Sequence, residues 1–538
     1  MASRPPRFEP TVTSAANAPG HYLGLYPASD FTLGTGANAD GVTFRQVRWY
    51  FEHETVALPL STLPTVGLHK GMAPLEDLGA WRGRARASGL DPYPPVVWVA
   101  APDIIGQARV DAGGTRLIAA EGTWTMTLAP QLPQNRAYFN ALTAAWFQQR
   151  PVRVRGTVRE DVVQVRTMWP KDFRLPRDAR RVVAEGPPAT PAAVRALMQS
   201  EPDAGAASPF AATLLWSRER GPYAVPAGRA VLAIIVNGAQ GDDDEAHGGH
   251  FAIVTGRTSA DGSIADWMVD NFYSLDVVSE KGILAAPVSL DNYLADLNSG
   301  QGYYRPSAML VAVLTDDRAA VLVQGALNHM YAQFYRHQLA YDHAAMNCAG
   351  ISVDVLRALG LDVAARGPAA PVRAALALPW LALRERSVRR ACAVYDYLTE
   401  DQTRLLPAAA FEEIGAALVS AVRDSSLAAR GVLASFVAAD AEALYFLRFP
   451  QFPSARALGT AAVVTPFEYR DRLPKDPAQA QIIPLAPRPF PQDLRDDDLH
   501  ASPMPRSETA LRTWAALSLI GLPWVAWRLL RRPRQPGD

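Results

Sequence analysis

The chain has 538 residues, and its 53 Lys and Arg balance 53 Asp and Glu, so the formal net charge is zero. That balance argues against a nucleic-acid binder, which carries a basic excess. The 49 % apolar share supplies ample core, and two cysteines exclude both a disulfide scaffold and a cysteine-rich zinc module. The length implies several domains.

Residues 1–40 are small and polar with scattered Gly and Pro, read as disordered, and 1–20 carry no apolar run of a secretory signal. Residues 41–183 form a β-rich barrel or sandwich domain, with strand patterns in 42–58, 96–100 and 115–128. A helix is expected near 136–149. The stretch 152–169 (VRVRGTVREDVVQVRTMW) alternates apolar residues around a turn at Glu160-Asp161, a hairpin with one buried face. A Pro/Ala-rich stretch, 186–209, follows. In it Thr190 and Pro191 mark the N-cap and first residue of a short helix.

From 210 to 365 strands alternate with helices. Residues 230–236, 250–255, 264–272 and 307–314 read as strands, and 319–336 as a long helix. Residues 366–470 read as a helical extension, helical in character up to 447. A Pro/Asp-rich linker, 471–508, leads to an apolar segment, 509–532. Its fifteen uncharged residues 513–527 lie between Arg512 and Arg528, short of the roughly 20 that cross a bilayer. With Arg531, Arg532 and Arg534 behind it, the segment reads as an interfacial helix or membrane anchor. The alternative is a helix docked in a groove of its own protein. The fold class expected is α+β, and no cofactor motif appears.

Two elements carry chemistry. In YDHAAMNCAGISVDVLRALG (341–360), Asn347 is an N-cap residue and Cys348 opens a helix whose apolar spacing ends at Gly360. A thiol there faces unpaired amides and the positive end of the helix dipole, which favour a thiolate, and the same amides can hold an oxyanion. The plain alternative is a small apolar residue in the core. The second element is His250, opening the strand HFAIVTG after Gly248-Gly249, where backbone approaches a neighbour closely. In a simple hairpin Asp270 and Asn271 lie opposite it, and either could orient the imidazole. A structural histidine is the rival reading. His343 is a rival base, and Glu245, His247 and His250 with residues 242–244 allow a metal reading that the glycine-containing loop disfavours. Cys392 reads as helix core, or as a disulfide partner of Cys348 in an oxidising compartment.

Together, a His-bearing strand followed about a hundred residues later by Asn-Cys at a helix start resembles the circularly permuted papain-like cysteine enzymes. It is closest to the bacterial lipoprotein N-acylation transferase family, with its histidine and its Asn-Cys-Thr motif preceded by an aromatic loop. His250, Asn347, Cys348 and Tyr341 match, while Ala349 stands in place of the Thr. The resemblance spans 230–360. It implies a permuted papain-like core, Cys348 as nucleophile, His250 as base, and Asn347, Tyr341 and Ala349 as auxiliary or oxyanion groups. It also implies thiol-dependent acyl transfer or amide or ester hydrolysis on an acyl-bearing or peptide substrate, at the bacterial inner membrane, with no nucleic acid and no cofactor. The alternative function is a noncatalytic membrane-associated binding or scaffold protein of the same shape.

Overall fold

In the computed structural model, description covers the backbone of residues 43–51, 54–60 and 97–99 and, with short breaks, residues 101–453 with Asp476. Three strands, β1 (Thr43–Phe51), β2 (Glu54–Leu60) and β3 (Val97–Val99), form an antiparallel sheet of their own. The apolar segment 509–532 and the linker before it lie outside the described residues. Among the described residues no helix is long and apolar enough to cross a membrane.

The strands β4 (Asp103–Val110), β5 (Arg116–Ala119), β6 (Gly122–Leu128), β7 (Val152–Arg159) and β8 (Val162–Pro170) close into a barrel in the order β4-β5-β6-β8-β7. Its interior is apolar: Leu117, Val152, Val154, Val163 and Val165 are all buried. Helix α1 (Ala141–Gln148) packs Phe147 into that core. Its N-cap, Asn140, accepts from the amides of Leu142 and Thr143. The β7–β8 turn places Glu160 at φ 55.

The expectation of one buried face for this hairpin fails in an informative way. Arg153 and Arg155, on the face that alternation assigns to water, are buried. Arg153 bonds Asp291 and Asp266 at 2.6 Å each, and Arg155 reaches the same two carboxylates at 3.2 and 3.1 Å. Burial pushes the Asp291 carboxyl up, but Arg155 and Arg153 more than offset it and hold its pKa below the ordinary value. Both acids lie downstream of the barrel, in the part of the chain that builds the second sheet and its helices, so the barrel is joined to that part by an ionic seam. Arg166 of β8 adds a fully buried pair with Asp296.

After the short helix α2 (Pro191–Met198), which Thr190 caps and Pro191 opens, a seven-stranded antiparallel sheet organises the rest. Its members are β9 (Ala211–Ser217), β10 (Ala230–Asn237), β11 (His250–Arg257), β12 (Met268–Asp270), β13 (Pro287–Ser289), β14 (Ser307–Leu314) and β15 (Ala441–Phe449), in the order β13-β12-β11-β10-β14-β15-β9. Every residue of β10 and β14 is buried, as the continuous apolar runs AVLAIIV and SAMLVAVL require. The strand expected over 264–272 is regular only at Met268–Asp270.

The helices that follow are α3 (Leu290–Ala295), α4 (Arg318–Tyr335), α5 (Cys348–Ala358), α6 (Pro371–Arg384), α7 (Val388–Thr399), α8 (Gln402–Leu405), α9 (Pro407–Arg423) and α10 (Val432–Asp440), of which α6 and α7 pack on each other. The architecture is α+β. One correction concerns the region up to 447: its end, AEALYFLRF, is strand β15, paired with β14 from Ser307↔Phe449 to Leu314↔Ala441. The change from α10 to β15 is pinned by Arg218, whose guanidinium donates to the carbonyls of Ala438, Ala439 and Ala441, and by Arg318, which grips the Asp440 carboxylate with two bonds at 2.6 and 2.8 Å.

Candidate active site

At one end of the sheet a single cross-strand row holds Ser307, Asn237 and His250, since Asn237 pairs with His250 on one side and Ser307 on the other. Asn237 Nδ2 donates to Ser307 Oγ at 2.6 Å, and Tyr293 of α3 donates its hydroxyl to Asn237 Oδ1. Gly249, just before His250, adopts φ +77, and a Cβ there would lie 2.8 Å from the Asn237 carbonyl oxygen. The glycine is therefore required for the chain to enter β11 against β10.

His250 is buried, 1 % exposed, and its Nε2 lies 2.6 Å from Asn271 Oδ1. An amide oxygen only accepts, so Nε2 carries the proton and Nδ1 presents a lone pair. The rings of Tyr273 and Tyr293 stand 5.5 and 6.0 Å from the imidazole. Burial, reinforced by the positive charge of Arg305, drives its pKa down to about 3 against the supporting bond from Asn271, so the ring is neutral at physiological pH.

Asp270, offered with Asn271 as the orienting group, turns away. Register pairs it with Ile253, and consecutive strand residues point to opposite faces. Asp270 Oδ1 accepts from Gln324 Nε2 on α4 at 3.0 Å, and Gln324 in turn accepts from Thr255. Its Oδ2 is buried without a hydrogen-bond partner. Burial, only partly offset by Gln324, lifts the carboxyl to about 8.

Cys348 begins α5 as expected, with Asn347 at the N-cap accepting the Gly350 amide at 2.8 Å. The backbone N–H of Phe251, the residue after His250, that of Ala349 and the Tyr341 hydroxyl each favour the thiolate form of Cys348. The helix start and the His-bearing strand thus meet at the thiol. The expectation of a lowered thiol pKa is overturned: burial at 4 % exposure outweighs those donors and the charge of Arg305, and raises it. At rest the pair is a neutral thiol and a neutral imidazole.

The auxiliary residues fall into place unequally. Asn347 uses both amide hydrogens on the carbonyls of His343 and Leu405, each at 3.0 Å, which leaves none for an oxyanion. Tyr341 accepts the Cys348 amide at 3.3 Å, and its ring lies near-parallel to that of Tyr273 at 6.1 Å. Ala349 contributes its amide alone. His343 lies in the exposed turn before α5 with its ring edge-on to Tyr341 at 5.2 Å. Cys392 is buried in α7, and neither cysteine forms a disulfide.

Of the residues offered as metal ligands, Glu245, His247 and 242–244 lie outside the description. Among the described residues no cluster of three or more His, Cys, Asp or Glu suits a metal ion.

Arg305, Tyr293, Asn237 and Tyr273 were not singled out in the sequence. Arg305 is almost wholly buried, bonded to Gln301 Oε1 at 3.1 and 2.8 Å and to the Gly238 carbonyl at 3.1 Å, and its charge bears on His250, Cys348 and Tyr293 together. The one sequence cue was its place just before β14, at the sheet end where His250 begins β11.

No protein-family model matches the chain, and neither a curated protein nor a solved structure matches it significantly.

Proposed function

We propose that this chain is a thiol-dependent acyltransferase or hydrolase built on a permuted papain-like core, with Cys348 as nucleophile, His250 as base and Asn271 as the residue that orients the base. The observation that carries this reading is the Asn271–His250 bond at 2.6 Å, set on the strand whose next amide, Phe251 N–H, favours the thiolate of Cys348. With Nε2 tied to Asn271, Nδ1 of His250 takes the thiol proton while the sulfur attacks an ester or amide carbonyl. The C–S bond forms as the carbonyl π pair moves to oxygen, and the backbone amides at the start of α5 stabilise that oxyanion once Tyr341 releases the Cys348 N–H. The imidazolium then returns its proton to the departing alcohol or amine, leaving an acyl-thioester that water or an acceptor amine resolves.

Since both groups rest neutral, proton transfer accompanies attack instead of preceding it. Arg305 favours the thiolate and opposes a lasting imidazolium, which suits that timing. An acyl group carried on a lipid or lipoprotein is the substrate class the sequence resemblance favours.

A second reading, a noncatalytic binding or scaffold protein of the same shape, draws support from the near-complete burial of Cys348 and His250. An electrophilic acyl probe on the folded chain, mapped by mass spectrometry, separates the two. Labelling of Cys348 that disappears in Cys348→Ala and falls in Asn271→Ala and His250→Ala supports catalysis. Labelling only after denaturation supports the scaffold.

A further inference from the structure

Helices α6 and α7 form a hairpin with a small core of its own, in which Ala374 and Leu378 of α6 pack on Ala391, Cys392 and Tyr395 of α7. On the opposite side of α6, Val372, Leu376, Trp380 and Leu383 are 71, 74, 56 and 80 % exposed. Their spacing of four, four and three residues lines them on a single stripe of the helix. The helix is therefore apolar on two sides, and only one is covered by described residues.

Charge surrounds the stripe. Residues 371–399 hold five arginines against two acids. Arg373 and Arg384 border the stripe, with the Arg384 guanidinium 5.0 Å from the Trp380 ring centroid, and Arg386, Arg389 and Arg390 stand exposed at the hairpin tip. We infer that this hairpin is a docking surface for an anionic lipid bilayer, lying flat with Val372, Leu376, Trp380 and Leu383 in the interface and the arginines at the headgroups. An apolar stripe bearing a tryptophan and rimmed by cations is the composition that partitions to anionic interfaces. Long arginine side chains reach the phosphates while their stems stay in the apolar layer. At fourteen residues α6 is too short to span and long enough to lie in plane. A second copy of the chain is disfavoured as the occupant, because it would set five arginines against five.

The hairpin also leads straight to the candidate active site. It is followed at once by α8, whose Leu405 carbonyl receives the Asn347 side chain at the N-cap of the Cys348 helix. A membrane-bound hairpin would hold that helix start near the bilayer, although the docking itself does not depend on the acyl-transfer reading.

The test is co-sedimentation of the full chain with vesicles of phosphatidylcholine alone or with about one-third phosphatidylglycerol. The wild-type chain is expected to bind the anionic vesicles, and to bind them less near 1 M salt, where the Debye length shrinks to about 3 Å. Leu376→Glu with Leu383→Glu, and separately Arg389→Glu with Arg390→Glu, should each weaken binding at least about tenfold. All four positions are exposed, so circular dichroism and the urea midpoint should not move. The inference is overturned if the wild type does not bind, if it binds neutral vesicles equally well, or if either pair of substitutions leaves binding unchanged. A doubled mass by light scattering that Leu376→Glu with Leu383→Glu abolishes would also overturn it, in favour of a second copy.

Discussion

Asp270 offers the sharpest quantitative test of the core. Its carboxyl is held at about 8, against 3.8 when solvated, because burial penalises the charge more than the single bond from Gln324 supports it. A raised acid works against the fold as pH rises. Between those two values the unfolded chain has released the proton and the native chain has kept it, so stability falls by about 1.4 kcal/mol per pH unit. Over the whole interval the cost is on the order of 6 kcal/mol. His250 acts in the opposite sense. Its native value near 3 lies below 6.5, so its contribution is lost as pH falls through that interval. The two slopes cancel between about pH 4 and 6.5, leaving a net loss of about 2 kcal/mol from pH 6.5 to 8 due to Asp270.

Asp270→Asn keeps the shape of the protonated acid and removes the titration. Urea denaturation of both proteins at about pH 4, 5, 6, 7 and 8 isolates the group in the difference, because every other titration is shared. The variant should match the wild type near pH 4 and gain steadily to a lead of several kcal/mol at pH 8. A difference that stays flat within about 0.5 kcal/mol, or that favours the wild type increasingly with pH, refutes the reasoning.

Other consequences follow from the same geometry. Asn271→Ala removes the partner that fixes the His250 tautomer, so acyl-probe labelling of Cys348 should slow by about 10- to 100-fold, and the imidazole N–H left buried without its acceptor should cost about 1–3 kcal/mol by urea denaturation. Arg305→Met withdraws a positive charge from the thiol, and the pH midpoint of Cys348 alkylation should move further up. Gly249→Ala forces a Cβ toward the Asn237 carbonyl at a positive φ and should cost about 1–3 kcal/mol by urea denaturation. Asp291→Ala leaves Arg153 and Arg155 without their buried carboxylate and should destabilise by about 3–5 kcal/mol in the same assay.

What could be read in advance was local. The uninterrupted apolar runs of β10 and β14 announce strands covered on both faces, and Thr190-Pro191 and Asn347-Cys348 each set a helix start through their own capping chemistry. His250 and its glycines stood out because a polar ring at the mouth of an apolar strand is unusual. The misreadings share a cause in long-range pairing. AEALYFLRF continues an Ala- and Leu-rich helical composition, and only its ladder with β14 makes it a strand. Arg153 and Arg155 look solvent-facing until acids more than a hundred residues downstream cover them. Asp270 and Asn271 are equally plausible by type, and the pleat and register decide between them. The helix-start amides and dipole by themselves point to a thiolate, whereas burial sets the protonation of the thiol.

The arginine–aspartate seam between barrel and sheet bears on how the molecule can be dissected. Severing the chain between the two parts would strand Asp291 and Asp296 in the larger piece and Arg153, Arg155 and Arg166 in the smaller, each requiring new hydration where a counterion had been. The barrel is thus less a detachable module than a counter-charge for the sheet and helices that follow it. Neither fragment should be soluble when expressed alone, co-expression of the two should restore solubility, and in the intact chain the two parts should melt in a single step.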